Sequence, residues 1–280
     1  MNVDHVKVPP IKIQGIKTKL VPFIAENIEW DDSKGIWYEP FMGSGVVGFN
    51  LAPKRAIFSD INPHIIGFYN DVKNHVITPE IVREYLEVEG AKLAETPADK
   101  SSYYYEVRNR FNENANSLDF LFLQRSNFNG MIRFSKNGYN VPFGRKPERF
   151  RPALITKIVN QVKWISDLID THDWTFEVNT WQDALQNVTT DDFVYMDPPY
   201  IGRNAEYFTP WVEEDANALA DYFNSRKDIH FGLSMWAKND YRENDHLSRW
   251  RGSVVTNEHF YFLGGKETNR NPVIEALVIG

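Results

Sequence analysis

The stretch GIWYEPFMGSGVVGFNLAPKRAIFSD, Gly35 to Asp60, decides the fold. Gly35–Tyr38 and Ala56–Phe58 are short apolar runs bounded by glycine or charge, and both read as strands. Between them, Gly43–Leu51 is small and apolar, which predicts a turn feeding a helix. Strand, glycine-rich turn, helix, strand and terminal acid in one stretch outline a βαβ unit. The turn contains a formal G-x-G-x-x-G at Gly43, Gly45 and Gly48, with Asp60 ending the next strand. That pattern suits a dinucleotide, with the acid accepting from ribose hydroxyls. It suits any other adenosine-bearing ligand equally well, and a tight ligand-free turn would read the same way.

A second stretch repeats the design. VYMDPPY, Val194 to Tyr200, is an apolar strand-like run that meets an acid, two prolines and a tyrosine. The prolines remove two N–H donors, fix φ and hold Asp197 extended. The result is a carboxylate, bare carbonyl oxygens and an aromatic face in fixed relation. Such a corner suits a planar ligand that donates hydrogen bonds from an amino group. At about 5% usage per residue, DPPY arises by chance in a chain this long with a frequency of roughly 0.002. Its place after a strand and downstream of the glycine unit makes chance a poorer account still.

Outward from these motifs, Lys19–Ile28 has helical spacing, as do Glu80–Ala94 and Ala153–Ile169. Thr175–Val178, Phe193–Met196, Ile229–Ser234, Ser253–Phe262 and Ile274–Ile279 read as further strands. Within MIRFSKNGYNVPFG, two short runs flank Lys136-Asn137-Gly138, and Asn-Gly is a strong hairpin signal. The layout expected is a doubly wound α/β domain made of residues 1–61 and 171–280. A smaller, basic, mainly helical domain, 62–170, interrupts it and carries the hairpin.

Composition bounds the rest. The 280 residues are 42% hydrophobic and 25% charged, as in ordinary globular proteins. There are no cysteines, which excludes disulfides and thiolate metal sites. With no long apolar run and no signal-like N-terminus, the expectation is a cytoplasmic protein without membrane association. The net charge of −7 hides a local bias. From Arg125 to Lys163 there are nine cations (among them Arg125, Arg133, Arg145, Lys146 and Arg149) against one anion, Glu148. A basic segment on an acidic body is the footprint of a polyanion partner, or else a solvated face.

EPFMGSG, SDIN (Ser59–Asn62) and DPPY, in this order with a basic region between them, resemble the Dam-type DNA adenine-N6 methyltransferases, the D12 class. NGMIRFSKNGYNVPFGR, Asn129 to Arg145, is similar to that family's target-recognition hairpin, and IKIQGIKTKL to its opening cofactor segment. The resemblance implies a Rossmann-like S-adenosylmethionine-dependent sheet with an inserted DNA-recognition domain. It implies catalytic roles for Asp197, Pro198, Pro199 and Tyr200, which would clamp the amino group of a flipped adenine. Cofactor contacts are implied for Ile13, Gly15, Lys17, Phe41, Gly43, Gly45, Asp60, Ile61 and Asp197, and no metal. DNA contacts are implied for Lys12, Arg125, Phe128, Asn129, Arg133, Asn140, Pro142, Arg145 and Lys146. Of these, Arg133 aligns with a base-reading arginine and Phe128-Asn129 with a pair that fills the gap left by the base. The family's opening segment commonly reads Lys-Trp-x-Gly-Gly-Lys, whereas Ile13 and Ile16 stand here for the aromatic and the second of its two glycines. Trp181, just past the Thr175–Val178 strand, reads either as a core residue or as packing for the cofactor's adenine.

The activity implied is site-specific N6 methylation of adenine in a short duplex motif, GATC or one sharing the GAT core. Double-stranded DNA is the partner, a cognate restriction endonuclease is a candidate one, and a monomer suffices. The alternatives are an RNA adenine-N6 or DNA cytosine-N4 methyltransferase, although the latter more often has Ser where Asp197 stands. A nicotinamide dehydrogenase would leave DPPY and the basic segment idle. A non-catalytic DNA-binding module would leave the Asp197 corner idle.

Overall fold

The computed structural model describes residues 3–96, 102–200, 211–238, 242–260 and 272–280. Its central sheet has the strand order β5-β2-β1-β6-β7-β9-β8. The strands are β1 (Trp37–Glu39), β2 (Arg55–Asp60), β5 (Asp173–Val178), β6 (Phe193–Met196), β7 (His230–Lys238), β8 (Ser253–Phe260) and β9 (Pro272–Ile279). The first five run parallel, while β9 is antiparallel to both β7 and β8. This is the Rossmann-like α/β sheet expected from the glycine unit. Expected strand positions match closely, although β7 runs on to Lys238 and residues 261–262 of the expected β8 lie outside the described residues.

The order explains why two motifs far apart in sequence share one site. β1 pairs with β6 in register Trp37↔Phe193 and Tyr38↔Val194, so Glu39-Pro40 and Asp197-Pro198 leave the sheet side by side. From β1 the chain moves to β2 in one direction, and from β6 to β7 in the other. Such a reversal opens a crevice at the carboxyl ends of the strands, where α/β proteins bind ligands.

Helix α1 (Val21–Asn27) precedes the sheet, and α2 (Val46–Leu51) links β1 to β2. Between β2 and β5 come α3 (Pro63–Lys73), α4 (Pro79–Glu95), α5 (Ser102–Asn114), α6 (Ser117–Ser126), the hairpin strands β3 (Phe134–Ser135) and β4 (Gly138–Tyr139), and α7 (Pro152–Thr171). Helices α8 (Trp181–Ala184) and α9 (Glu213–Ser225) cross to β6 and β7. Local chemistry sets several helix starts. Asn62 caps α3 by accepting from His64 N at 3.0 Å, and Thr78 caps α4, each followed by proline at the first helical position.

Two buried apolar clusters flank the sheet. One contains Tyr38, Trp181, Val194, Phe223, Phe231 and Trp250. Trp181 is thus a core tryptophan, edge-on to Tyr222 at 5.7 Å. The other runs from Phe49, Phe58 and Trp174 through Leu86, Phe111 and Phe122 to Val141, from sheet to inserted helices. No helix among the described residues is long and apolar enough to cross a membrane.

The hairpin differs in detail from its sequence reading. Gly138 does not sit in the turn but opens β4, paired with Ser135, and Lys136-Asn137 form the reversal. Gly138 has φ of +94°, and a Cβ there would stand 2.6 Å from Asn112 Oδ1. The Asn112 side chain brackets the neighbouring residue, accepting from Tyr139 N at 2.7 Å and donating to Tyr139 O at 3.1 Å. Glycine is needed there because α5 meets the hairpin's backbone directly.

Candidate active site

The glycine turn after β1 is built around Asp60. Gly43 N–H donates to Asp60 Oδ2 at 2.9 Å, and Asn62 N–H to Asp60 Oδ1 at 2.9 Å. Gly43 and Gly45 hold φ of +48° and +72°, in the left-handed region that side chains disfavour. Burial pushes the Asp60 carboxyl above its ordinary range, and the N–H bonds oppose that shift. Each oxygen keeps a further lone pair for a ligand. Ile13 lies over the turn, its Cδ1 2.6 Å from where a Gly43 Cβ would stand, and Ile61 is exposed beyond Asp60. Gly15 is exposed at φ +85°.

Gly48, the third glycine of the motif, does something else. A Cβ there would meet Phe58 at 2.4 Å and Glu39 Oε2 at 2.5 Å, and its N–H donates to that oxygen at 3.0 Å. Trp37 Nε1–H donates to the same oxygen at 3.1 Å. Glu39 is deeply buried at the end of β1, and burial pushes its carboxyl up to about 8 despite both donors. The nearby Asp197 charge adds to the shift.

Asp197 follows β6 directly. Its Oδ1 is 2.9 Å from the Lys17 ammonium, whose side chain is 5% exposed. Burial raises the Asp197 carboxyl, Lys17 opposes this, and the charge of Glu275 on β9 adds to it. Lys17 also donates to Gly15 O at 3.3 Å and lies 5.2 Å from the centre of the Tyr200 ring. The Tyr200 hydroxyl donates to Glu275 Oε2 at 3.0 Å. Beneath the corner, Tyr195 and Ser234 share a hydroxyl hydrogen bond of 2.8 Å between β6 and β7.

Pro198, Pro199 and Tyr200 also form one wall of a groove completed by Trp211, Met235, Trp236, Asn244, His246 and Trp250. Phe41, from the loop after β1, meets Trp211 edge-on at 5.4 Å. The indole Nε1 of Trp211 is buried and makes no hydrogen bond among the described residues. The groove is therefore aromatic-walled and continuous with the DPPY corner.

The expected DNA contacts gather on the insertion and the opening segment. Arg133 and Asn140 flank the hairpin and hold each other, Arg133 Nε donating to Asn140 Oδ1 at 2.6 Å and Nη2 to Asn140 O at 3.0 Å. Phe128 is 49% exposed rather than a core residue, and Asn129 beside it has φ of +57°. Pro142, Arg145 and Lys146 are exposed. Lys12 packs its stem on Gly130, and its ammonium is held below the ordinary lysine range by partial burial and by the charges of Arg149, Arg125 and Lys146. Arg125 is turned inward, its guanidinium donating to Gln161 on α7, and burial pulls it down to about 10.

Sequence reading passed over Glu39, Glu275 and Trp211. The first two carried a readable signal, since each is a lone acid in an apolar strand, IWYE and PVIEALVI. Trp211 carried none, because its closeness to Phe41 depends on the tertiary path.

Comparison with known proteins agrees with this architecture. A model of the D12 class N6 adenine-specific DNA methyltransferase family matches residues 14–260. The type II methyltransferase M.MjaIII of Methanocaldococcus jannaschii is 31% identical over 75% of this chain and 75% of its own. A DNA adenine methylase of Haemophilus influenzae is 32% identical over 78% of this chain and 74% of its own. The modification methylase StsI of Streptococcus sanguinis is 28% identical over 90% of this chain but only 39% of its own. With the family model spanning most of its length, the chain belongs to the D12 class N6 adenine-specific DNA methyltransferase family.

Proposed function

We propose that this chain binds S-adenosylmethionine at the glycine turn, flips one adenine out of duplex DNA into the corner after β6, and methylates N6. The target is a short motif, GATC or one sharing the GAT core. The observation that carries the reading is the adjacency of β1 and β6. It sets a turn organised by Asp60 beside a carboxylate–proline corner that opens onto an aromatic groove.

The residues fit the cofactor. Two glycines in left-handed conformation allow close approach, Ile13 and Ile61 offer apolar walls to a purine, and Asp60 retains lone pairs for ribose hydroxyls. Lys17 and Gly15 close the side formed by the opening segment, and Phe41 flanks the turn. Bound there, S-adenosylmethionine supplies a methyl group on a sulfonium.

The protein's part is positioning and electrostatics. The adenine N6 lone pair is delocalised into the ring, so the amine is a poor nucleophile. Asp197 and the Pro198 carbonyl accept its two N–H bonds and localise the lone pair away from the ring. Pro199 keeps that backbone stiff, and Tyr200 stacks on the base. Once N6 carries the methyl, the Asp197 carboxylate stabilises its positive charge until a proton leaves to solvent.

Residues 62–170 would serve as the recognition unit, with Arg133 reading a base edge beside Asn140. Lys12 would read a guanine at the edge of the site, and Pro142 would touch a thymine methyl. Phe128-Asn129 would fill the gap left by the flipped base. Arg145 and Lys146 would act on phosphates, which position without specifying, whereas Arg125, turned inward to Gln161, is not placed to touch one directly and would add only its charge. A cognate restriction endonuclease is the partner class suggested by the type II names of the relatives.

The test is single-molecule sequencing of plasmid DNA from a methylation-deficient host that expresses the chain. N6-methyladenine confined to one short motif is the expected result. Unmodified DNA, with soluble protein that still binds S-adenosylmethionine, would turn the reading towards RNA or another amino substrate.

A further inference from the structure

Glu275 is the one charged residue of β9, in PVIEALVI, and it is 1% exposed. β9 lies between β7 and β8, and Glu275 stands in register with Trp236 on one side and Asn257 on the other. A carboxylate inside a sheet is unfavourable unless it is hydrogen-bonded and lies near a positive charge. An acid that merely filled a strand position would pack less well than valine or leucine. Here the acid has a specific partner, since Tyr200 O–H donates to Glu275 Oε2 at 3.0 Å.

Tyr200 is thereby restrained at its tip and along its face. Glu275 fixes the hydroxyl, the Lys17 ammonium lies 5.2 Å from the ring centre, and two prolines stiffen the backbone before it. A ring free to rotate about its side-chain bonds would offer a flipped base a moving surface. We infer that Glu275 is a positioning residue for methyl transfer, one that anchors the Tyr200 hydroxyl so that the ring presents a single face to the target base. This inference rests on the proposed role of Tyr200 as the base's stacking platform. Glu275 also faces Asp197, together with Lys17 of the opening segment, Glu39 at the end of β1 and Tyr195 on β6. Within that group the Glu275 charge works against ionisation of Asp197, and Lys17 works for it.

The test uses the full chain, S-adenosylmethionine and duplexes carrying the motif found by sequencing, with 2-aminopurine at the target position in a parallel set. Turnover against pH and 2-aminopurine fluorescence are measured for Glu275→Gln, Glu275→Ala, Tyr200→Phe, Tyr200→Ala and the Glu275→Ala/Tyr200→Phe double variant. Glu275→Ala and Tyr200→Phe should each lower kcat by a similar factor, on the order of tenfold, and the double variant should be no worse than either. Glu275→Gln keeps an acceptor for the tyrosine but loses the charge. It should retain the fluorescence of the native complex while the acid limb of its kcat profile moves to lower pH. Losses that multiply in the double variant, or loss of the native fluorescence in Glu275→Gln, would overturn the inference. Native behaviour of Glu275→Ala beside a damaged Tyr200→Ala would overturn it alone. Native behaviour of Tyr200→Ala would remove the platform reading and the inference together. The isosteric Glu275→Gln keeps the test usable should the alanine variant fail to fold.

Discussion

The Lys17 ammonium lies 2.9 Å from Asp197 Oδ1 and 5.2 Å from the centre of the Tyr200 ring, so one cation from the opening segment spans both ends of DPPY. It is also the counter-charge for an acid that burial pushes towards its neutral form. In the proposed mechanism a neutral Asp197 would be a weaker acceptor for the adenine amino group, so this contact should bear on turnover as well as packing.

Lys17→Met keeps most of the side chain's bulk and removes the charge. The Asp197 carboxyl should then rise further, and the acid limb of the kcat profile should move to higher pH. Turnover near neutral pH should fall on the order of tenfold to a hundredfold. Initial rates across a pH series check both.

Glu39 gives a stability signature. Burial lifts its carboxyl from the ordinary 4.5 to about 8 in the folded chain. Between those values the native state holds a proton that the unfolded chain has lost, so this group's contribution to stability falls as pH rises. The slope is at most about 1.4 kcal/mol per pH unit. Glu39→Gln retains an acceptor for Gly48 N–H and Trp37 Nε1–H and should flatten this part of the profile. Urea unfolding at several pH values across the window measures the difference.

Arg133 and Asn140 should behave as one recognition unit. Arg133→Ala is expected to cost about 1–3 kcal/mol at one base pair and relax preference there. Asn140→Ala should produce part of the same loss, because it releases the guanidinium that it now orients. The two effects should be strongly non-additive in a double-mutant cycle read by methylation of single-substituted sites. A uniform loss on every sequence with a shallower salt dependence would make Arg133 a phosphate contact instead.

The glycines of the turn should separate by role. Gly48→Ala forces a Cβ against the Phe58 ring and Glu39, and should lower stability by about 1–3 kcal/mol without changing S-adenosylmethionine affinity in the folded protein. Gly43→Ala meets only the tip of Ile13, but strains a φ of +48° beside Asp60, and should weaken cofactor binding. Thermal unfolding and equilibrium dialysis distinguish them.

These cases also show what the sequence made legible. The strands Trp37–Glu39, Arg55–Asp60 and Phe193–Met196 were readable from Gly35–Tyr38, Ala56–Phe58 and Phe193–Met196, apolar runs that each meet a sharp chemical boundary. The placement of Asp197 and Asp60 at strand ends was readable because each acid closes an apolar run. The antiparallel placement of β9 was not readable, since PVIEALVI looks the same in either direction. For that reason Glu275 could not be brought to Tyr200 from sequence alone. Nor could the Arg133–Asn140 pairing, which depends on hairpin register, or the inward turn of Arg125 towards Gln161, which depends on how α6 meets α7.

The apolar cluster that runs from Trp174 and Phe58 to Phe122 and Val141 has a consequence for how this enzyme can evolve. The helices that carry the hairpin share their interior with the face of the catalytic sheet, so denaturant should melt both in one cooperative transition. Substitutions inside that interior should disturb methyl transfer and, if the hairpin reads DNA as proposed, sequence preference together. Exposed positions such as Phe128, Pro142 and Arg145 lie outside it. If those positions read DNA as proposed, new target motifs should be most accessible through a thin outer layer of side chains, over a body that changes slowly.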